Sequence, residues 1–253
     1  MELKKFDEYA DSLEGHIAHW KRQLTTERFR FRHIIDSIPG CAGRVRILDI
    51  GTTPFTLFIK RLHPHYEVST VDFTDYWEHL CDEAGVSFRV CDVERQSLPF
   101  EDGYFDVVIF TEVLEHLFVP PSKVLREIRR VIRVGGKLVI SVPNVAALRH
   151  RIALLLGISP LRDLDKSIGP PHDHIHEYTM SEISTKLEHC GFTVVRKKYL
   201  QPSAIHALRG FIGEREPVDL VKAAYYAAGL LLLVPSLRVV IFVECCKNER
   251  EAK

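Results

Sequence analysis

Between Arg44 and Val142 the sequence alternates short apolar runs with amphipathic stretches of crossover length. The runs are Val45–Ile50, Glu67–Val71, Val86–Cys91, Asp106–Thr111 and Lys137–Val142. Each has the length of a strand and is apolar on both faces, the pattern of a parallel sheet covered by helices on both sides. Helix signals stand between and after the runs. Pro120–Pro121 opens a helix whose Val124, Ile128, Val131 and Ile132 share one face, and Gly135–Gly136 reads as its stop. Thr179 and Glu182 form a capping box for another, with Ile183, Leu187 and Cys190 as its apolar stripe and Gly191 at its end. Further strands are expected at Phe192–Tyr199 and Arg238–Cys245.

A chain of 253 residues suits one α/β domain with additions. Residues 1–43 read as a polar helical segment with Trp20, Leu24, Ile34, Ile35 and Ile38 as its buried positions, stopped by Pro39–Gly40. Residues 44–253 read as the α/β domain, with two departures from the alternation. Residues 145–175 carry a Leu- and Arg-rich helix and an irregular stretch with Pro160, Pro170 and Pro171, which reads as a lid. Residues 220–234 form a strongly apolar helix after the polar connection Gln201–Pro217. Pro235, Ser236 and Arg238 interrupt the apolar stretch Ala223–Val243, leaving less than the roughly 20 residues that cross a bilayer. A core helix followed by a buried strand is the expectation there.

Lys plus Arg equals Asp plus Glu, so no overall field draws in nucleic acid, and none is expected as a partner. The six cysteines include no C-x-x-C pair, and the N-terminal stretch lacks the apolar run of a signal peptide. A reducing cytoplasm is the expected location.

In an open parallel sheet, ligands bind at the carboxyl ends of the strands. Five successive strand ends carry polar residues in order. Asp49, Gly51, Thr52 and Thr53 follow the first run. Asp72, 21 residues beyond Gly51, follows the second, at the spacing from which an acidic side chain reaches a ribose diol. Asp92 follows the third and can accept from an exocyclic amine. Thr111, Glu112, Glu115 and His116 follow the fourth, and Pro143–Asn144 the fifth. Any one of these residues alone could be a turn or a cap; their joint order is the signal.

The stretches ILDIG (47–51), VD (71–72), CDVERQSLPFEDGYFDVVIFTEVLEHL (91–117), LREIRRVIRVGGKLVISVPN (125–144) and HEYTMSEISTKLEHCGF (176–192) resemble the class I S-adenosylmethionine-dependent methyltransferases. The resemblance is to the group that includes the ubiquinone-biosynthesis enzymes. It implies a Rossmann-like, seven-stranded, mostly parallel sheet with helices on both faces and the last strand antiparallel. It also implies S-adenosyl-L-methionine as cofactor, with Asp49 and the backbone at Gly51 on its methionine part and Asp72 on the ribose. Asp92 would face the adenine amine, with Val93 against the ring, and Thr111 and Glu112 would lie at the substrate side. The family's first loop usually has two further alternating glycines, where this chain has Thr53 and Phe55 around Pro54. A hydroxyl of Thr52 or Thr53 is the expected substitute donor to the methionine carboxylate.

A sulfonium methyl is already activated, so transfer requires a nucleophile held in line and water kept out. His116 is the first candidate for a base, with Glu112 beside it, and a packing role for His116 is the competing reading. His172, His174 and His176 alternate after the lid and are read as hydrogen-bonding lid residues on the substrate side, with Asn144; no metal is expected on them. The acceptor is read as a small molecule, lipid or lipid-linked sugar, methylated at a hydroxyl, with peripheral contact to a membrane left open. The competing function is a catalytically silent, methyltransferase-like binding module.

Overall fold

In a computed structural model of the chain, the described residues are 2–14, 17, 19–40, 43–159, 174–201 and 234–249. His172, the stretch 160–173 of the expected lid, and residues 220–233 of the expected apolar helix lie outside them.

Seven strands form one sheet in the order β3-β2-β1-β4-β5-β7-β6. They are β1 (Arg46–Ile50), β2 (Glu67–Asp72), β3 (Ser87–Val90), β4 (Phe105–Thr111), β5 (Ile132–Pro143), β6 (Phe192–Leu200) and β7 (Val240–Lys247). The first five pair in parallel, whereas β7 runs antiparallel to both β5 and β6. This is the sheet that the resemblance implies. Strand β3 departs from the both-faces-buried pattern: Val90 is 54% exposed, because β3 is the sheet's outer strand.

The period of two sorts strand side chains onto two cores. Ile47, Val68, Val107, Ile109 and Phe242 face one, with α1 (Glu2–Asp11), α2 (Trp20–Ser37) and α3 (Pro54–Leu62). Leu48, Val108, Phe110, Ile140 and Val243 face the other, with α5 (Pro121–Val131) and α7 (Met180–His189); α4 (Glu78–Ala84) precedes β3 and α6 (Leu148–Leu155) follows β5. Phe6 meets Phe31, Phe55 and Phe58 with ring centroids 5.1–6.2 Å apart, so the N-terminal helices share the sheet's own core. Leu24, Ile34, Ile35 and Ile38 are buried as expected, and Trp20 partly so.

Two helix signals need correction. Helix α5 ends at Val131, and Gly135–Gly136 lie inside β5 instead of closing the helix. There the chain makes a small excursion: β5 advances from Ile132 to Lys137 while β4 advances only from Phe105 to Val107. Gly135 takes φ +76°, and a Cβ on Gly136 would stand 2.9 Å from the Arg133 carbonyl oxygen, so both glycines serve that bulge. At α7, Thr179 accepts from the Glu182 N–H at 3.2 Å, but the Glu182 carboxylate turns to His176 at 2.8 Å instead of completing the capping box.

Among the described residues no helix is long and apolar enough to cross a membrane. The described end of the Ala223–Val243 stretch is a short 3-10 turn, Pro235–Leu237, followed by the buried β7.

Candidate functional site

The strand ends β1, β2 and β4 converge on one edge. Asp49 is buried, and its Oδ2 accepts from the Thr56 hydroxyl at 2.6 Å. Burial pushes its carboxyl up to about 7, against the opposing pull of the Thr56 bond and Arg30. Gly51 has φ +90°, and a Cβ there would lie 2.8 Å from Val113 Cγ2. No other residue fits this turn without strain and collision.

The loop that lacks the two further glycines is a well-formed helix start. Thr53 caps α3 by accepting from the Phe55 N–H at 3.2 Å, Pro54 takes the first helical position, and Thr56 accepts from the Thr53 N–H at 3.1 Å. The Thr52 hydroxyl is buried and shared with that of Thr70 at 2.8 Å. Thr52 is therefore turned inward and is not the substitute donor expected from sequence; only the Thr53 hydroxyl retains a proton to give.

Asp72 is half-buried, and its Oδ2 accepts from the Thr52 N–H at 2.9 Å, which ties the second strand end to the first loop. Burial raises its carboxyl while the backbone N–H groups of Thr52, Thr74 and Phe73 counter it. Asp92 accepts from the Glu94 N–H at 3.0 Å, and Val93 beside it is partly buried. Thr111, half-buried, ends β4.

Beyond Thr111 the backbone is strained. Glu112 sits at φ +56°, the single positive-φ residue other than glycine among the described residues. Its Oε1 lies 2.9 Å from Arg30 Nη1 and accepts from the Ser141 hydroxyl at 2.9 Å. Arg30 comes from α2 and is 5% exposed, so a helix outside the α/β alternation delivers a buried cation to the fourth strand end.

One 3-10 turn on, at Leu114–His116, Glu115 is 1% exposed and both its carboxylate oxygens lack a hydrogen-bond partner. His116 Nε2 and His174 Nε2 stand 3.9 and 4.0 Å from Glu115 Oε1. The two imidazole rings lie 5.0 Å apart. The Glu115 carbonyl accepts from the Ile175 and His176 N–H groups at 2.7 and 3.1 Å, which fixes the segment after the expected lid against this turn. His174 Nδ1 pairs with Glu177 Oε1 at 2.9 Å, and Glu177 Oε2 is 3.4 Å from the buried His150 Nδ1. Burial, with Glu112 and Glu177 close by, pushes the Glu115 carboxyl well above the usual carboxylate range.

The structure thus brings His116 and His174 together but not the whole histidine set. His176 turns to Glu182 and is more than half exposed, and His172 lies outside the described residues. Asn144 also departs from its expected role on the substrate side. It is fully buried, donates to the Ser236 and Arg238 carbonyls at 3.0 and 2.6 Å, and accepts from the Ala146 N–H. Its amide ties the chain just after β5 to the approach to β7. Arg30, Glu177 and His150 were not singled out from sequence, and Glu115 only as one of the residues after the fourth strand, since contacts distant along the chain bring them together. Glu27 and Arg30 on the stripe that carries Ile34 were the one available signal: charges where α2 should be apolar.

Residues 48–140 match a family described as a methyltransferase domain. The demethylmenaquinone methyltransferase of Thermus thermophilus is 33% identical over 117 residues, 45% of this chain and 53% of that protein. The chain therefore spans about half the length of that curated relative. Among solved structures, a chain of the Haloferax volcanii complex of the Trm112 methyltransferase activator with a methyltransferase is similar at a TM-score of 0.60 and 16% identity, over 97% of this chain and 98% of that one. An S-adenosylmethionine-dependent methyltransferase from Archaeoglobus fulgidus follows at a TM-score of 0.59 and 18% identity, over 89% and 94% of the two chains. Likeness at these identities is likeness of fold. Residues 48–140 thus match the methyltransferase-domain family, and the sheet that carries them has the fold of S-adenosylmethionine-dependent methyltransferases.

Proposed function

We propose that the chain is an enzyme that binds S-adenosyl-L-methionine and transfers its methyl group to a hydroxyl of a small-molecule or lipid-like acceptor. One observation carries the reading: carboxylates at three successive strand ends, Asp49, Asp72 and Asp92, surround a glycine turn with no space for a side chain. The cradle fits the cofactor, since Gly51 leaves backbone groups open to close approach and Asp72 stands partly exposed at the ribose distance along the chain. In this reading Asp49 and the Gly51–Thr53 backbone receive the methionine part, Asp72 accepts from the ribose hydroxyls, and Asp92 accepts from the adenine amine, with Val93 against the ring. Thr111 and Glu112 border the reacting methyl.

When bound, the cofactor supplies a methyl on a positively charged sulfur. The chain's own part is to hold the acceptor oxygen in line and to help remove its proton. The Glu115–His116–His174 group, beside Glu112, is suited to that second task. The lipid-like alternative is supported by the quinone-type acceptor in the name of the Thermus thermophilus relative, and by the exposed Phe118, Leu154, Leu155 and Leu156.

Calorimetry with S-adenosylmethionine and S-adenosylhomocysteine tests the reading. Asp72→Ala should weaken both by about ten- to a hundredfold, about 1.5–3 kcal/mol for charge-assisted bonds to two hydroxyls, with an unchanged circular dichroism spectrum. A wild-type chain that binds neither ligand at millimolar concentration is instead a silent module.

A further inference from the structure

We infer that Glu115, His116 and His174 form a binding site for a divalent transition-metal cation. One ligand atom from each, two imidazole nitrogens and a carboxylate oxygen, lies within 4.8 Å of the other two. The independent observation is Glu115 itself, a carboxylate whose two oxygens are both buried and receive no hydrogen bond. Buried carboxylates are otherwise satisfied by donors or by a metal.

The geometry separates a metal cluster from a plain ion pair. Two imidazolium donors attracted to one carboxylate would close to about 2.8 Å. Both nitrogens instead stand back, at 3.9 and 4.0 Å. Ligands about 2.1 Å from a shared ion lie roughly 3.0–3.5 Å from each other, so the two Glu115–histidine distances need to contract by about half an ångström or more.

The second layer has the form that metal-bound histidines take. Glu177 engages His174 through Nδ1, which leaves Nε2 directed at Glu115, and Glu177 is in turn held beside His150. Arg30, the nearby cation, is neutralised by Glu112 at 2.9 Å, so its charge does not bar a second one. Two imidazoles with one carboxylate favour Zn2+, Co2+, Fe2+ or Mn2+ over Mg2+ or Ca2+, and three protein ligands leave a coordination position open.

The inference deepens the proposed function. A cation there would lower the pKa of an acceptor hydroxyl, with His116 acting as a ligand and not as a free base. The O–H proton passes to solvent, the oxygen–carbon bond forms, and the carbon–sulfur bond breaks to leave a neutral thioether. It also revises the expectation of no metal, using His174 of the alternating histidines together with two residues after β4.

The test takes the full-length protein, stripped with chelator and dialysed. It is titrated calorimetrically with Zn2+, Mn2+ and Mg2+, and loaded with Co2+ for its visible spectrum. One equivalent of Zn2+ or Co2+ should bind, with Mg2+ much weaker. The Co2+ spectrum should lack thiolate charge transfer, and binding should fall by about tenfold or more in both Glu115→Gln and His174→Ala. Glu115→Gln preserves shape and removes the carboxylate that would ligate the cation, so it reports on the site even where His174→Ala loosens the fold. A wild type that takes up no cation, variants that bind like the wild type, or a thiolate-dominated Co2+ spectrum would overturn the site. Titration of the same stripped protein with S-adenosylhomocysteine keeps the two readings apart. Cofactor binding without cation binding removes only this inference, and the reverse removes only the methyl-transfer reading.

Discussion

Asp49 and Gly51 show how much two residues of one turn decide. A methyl added at Gly51 meets Val113 Cγ2 at 2.8 Å in a backbone region unfavourable to side chains. Gly51→Ala should cost about 1–3 kcal/mol in stability and weaken cofactor binding as well. Adding Val113→Ala should recover the steric share and leave the conformational one, which paired urea titrations would separate. Asp49 carries a pH signature. Its folded carboxyl sits at about 7, above the ordinary unfolded value, so the folded state holds the proton more tightly. Its contribution to stability is full below the unfolded value near 4 and is lost as pH rises through about 7. Unfolding midpoints for wild type and Asp49→Asn between pH 4 and 8 should therefore show wild type losing ground, relative to the variant, across that window. Parallel curves would contradict the buried, protonated Asp49.

At the scale of elements, charge pairing across strands holds the far half of the sheet together. Glu244 on β7 is 2.9 Å from Lys137 on β5, 2.6 Å from Arg196 on β6, and receives the Ser37 hydroxyl of α2 at 3.2 Å. Removing the acid leaves two half-exposed cations without their partner. Glu244→Ala should cost about 2–3 kcal/mol, below the full figure for a deeply buried pair, and lower the thermal midpoint by several degrees. Strands were the most legible elements in the sequence, because apolar runs of strand length separated by crossovers have few other solutions. The two glycines after α5 misled for a physical reason. Gly–Gly signals a bend without saying whether a helix ends there or a strand bulges, and here the bulge opposite Phe105–Val107 won. The edge proposed for the cofactor was legible because each residue follows its own strand locally. The Glu115 cluster was not, because its members meet only once Ile175 and His176 dock on the Glu115 carbonyl.

The whole molecule joins two halves of different character around β4 and β5. On one side β1, β2 and β3 carry Asp49, Asp72 and Asp92 in a parallel array built from consecutive chain. On the other, β7 lies between β5 and β6, hydrogen-bonded antiparallel to both. The half with the three aspartates therefore assembles from the chain in the order of synthesis, whereas β6 waits. During translation Leu200 and its neighbours leave the ribosome with no strand to join until residues 240–247 follow, at about 5–20 residues per second. For those seconds the nascent protein displays two open flanks, that of β5 and that of β6. The last strand acts as a keystone, and the cell's chaperones, rather than any partner of the folded protein, meet the chain at its most adhesive.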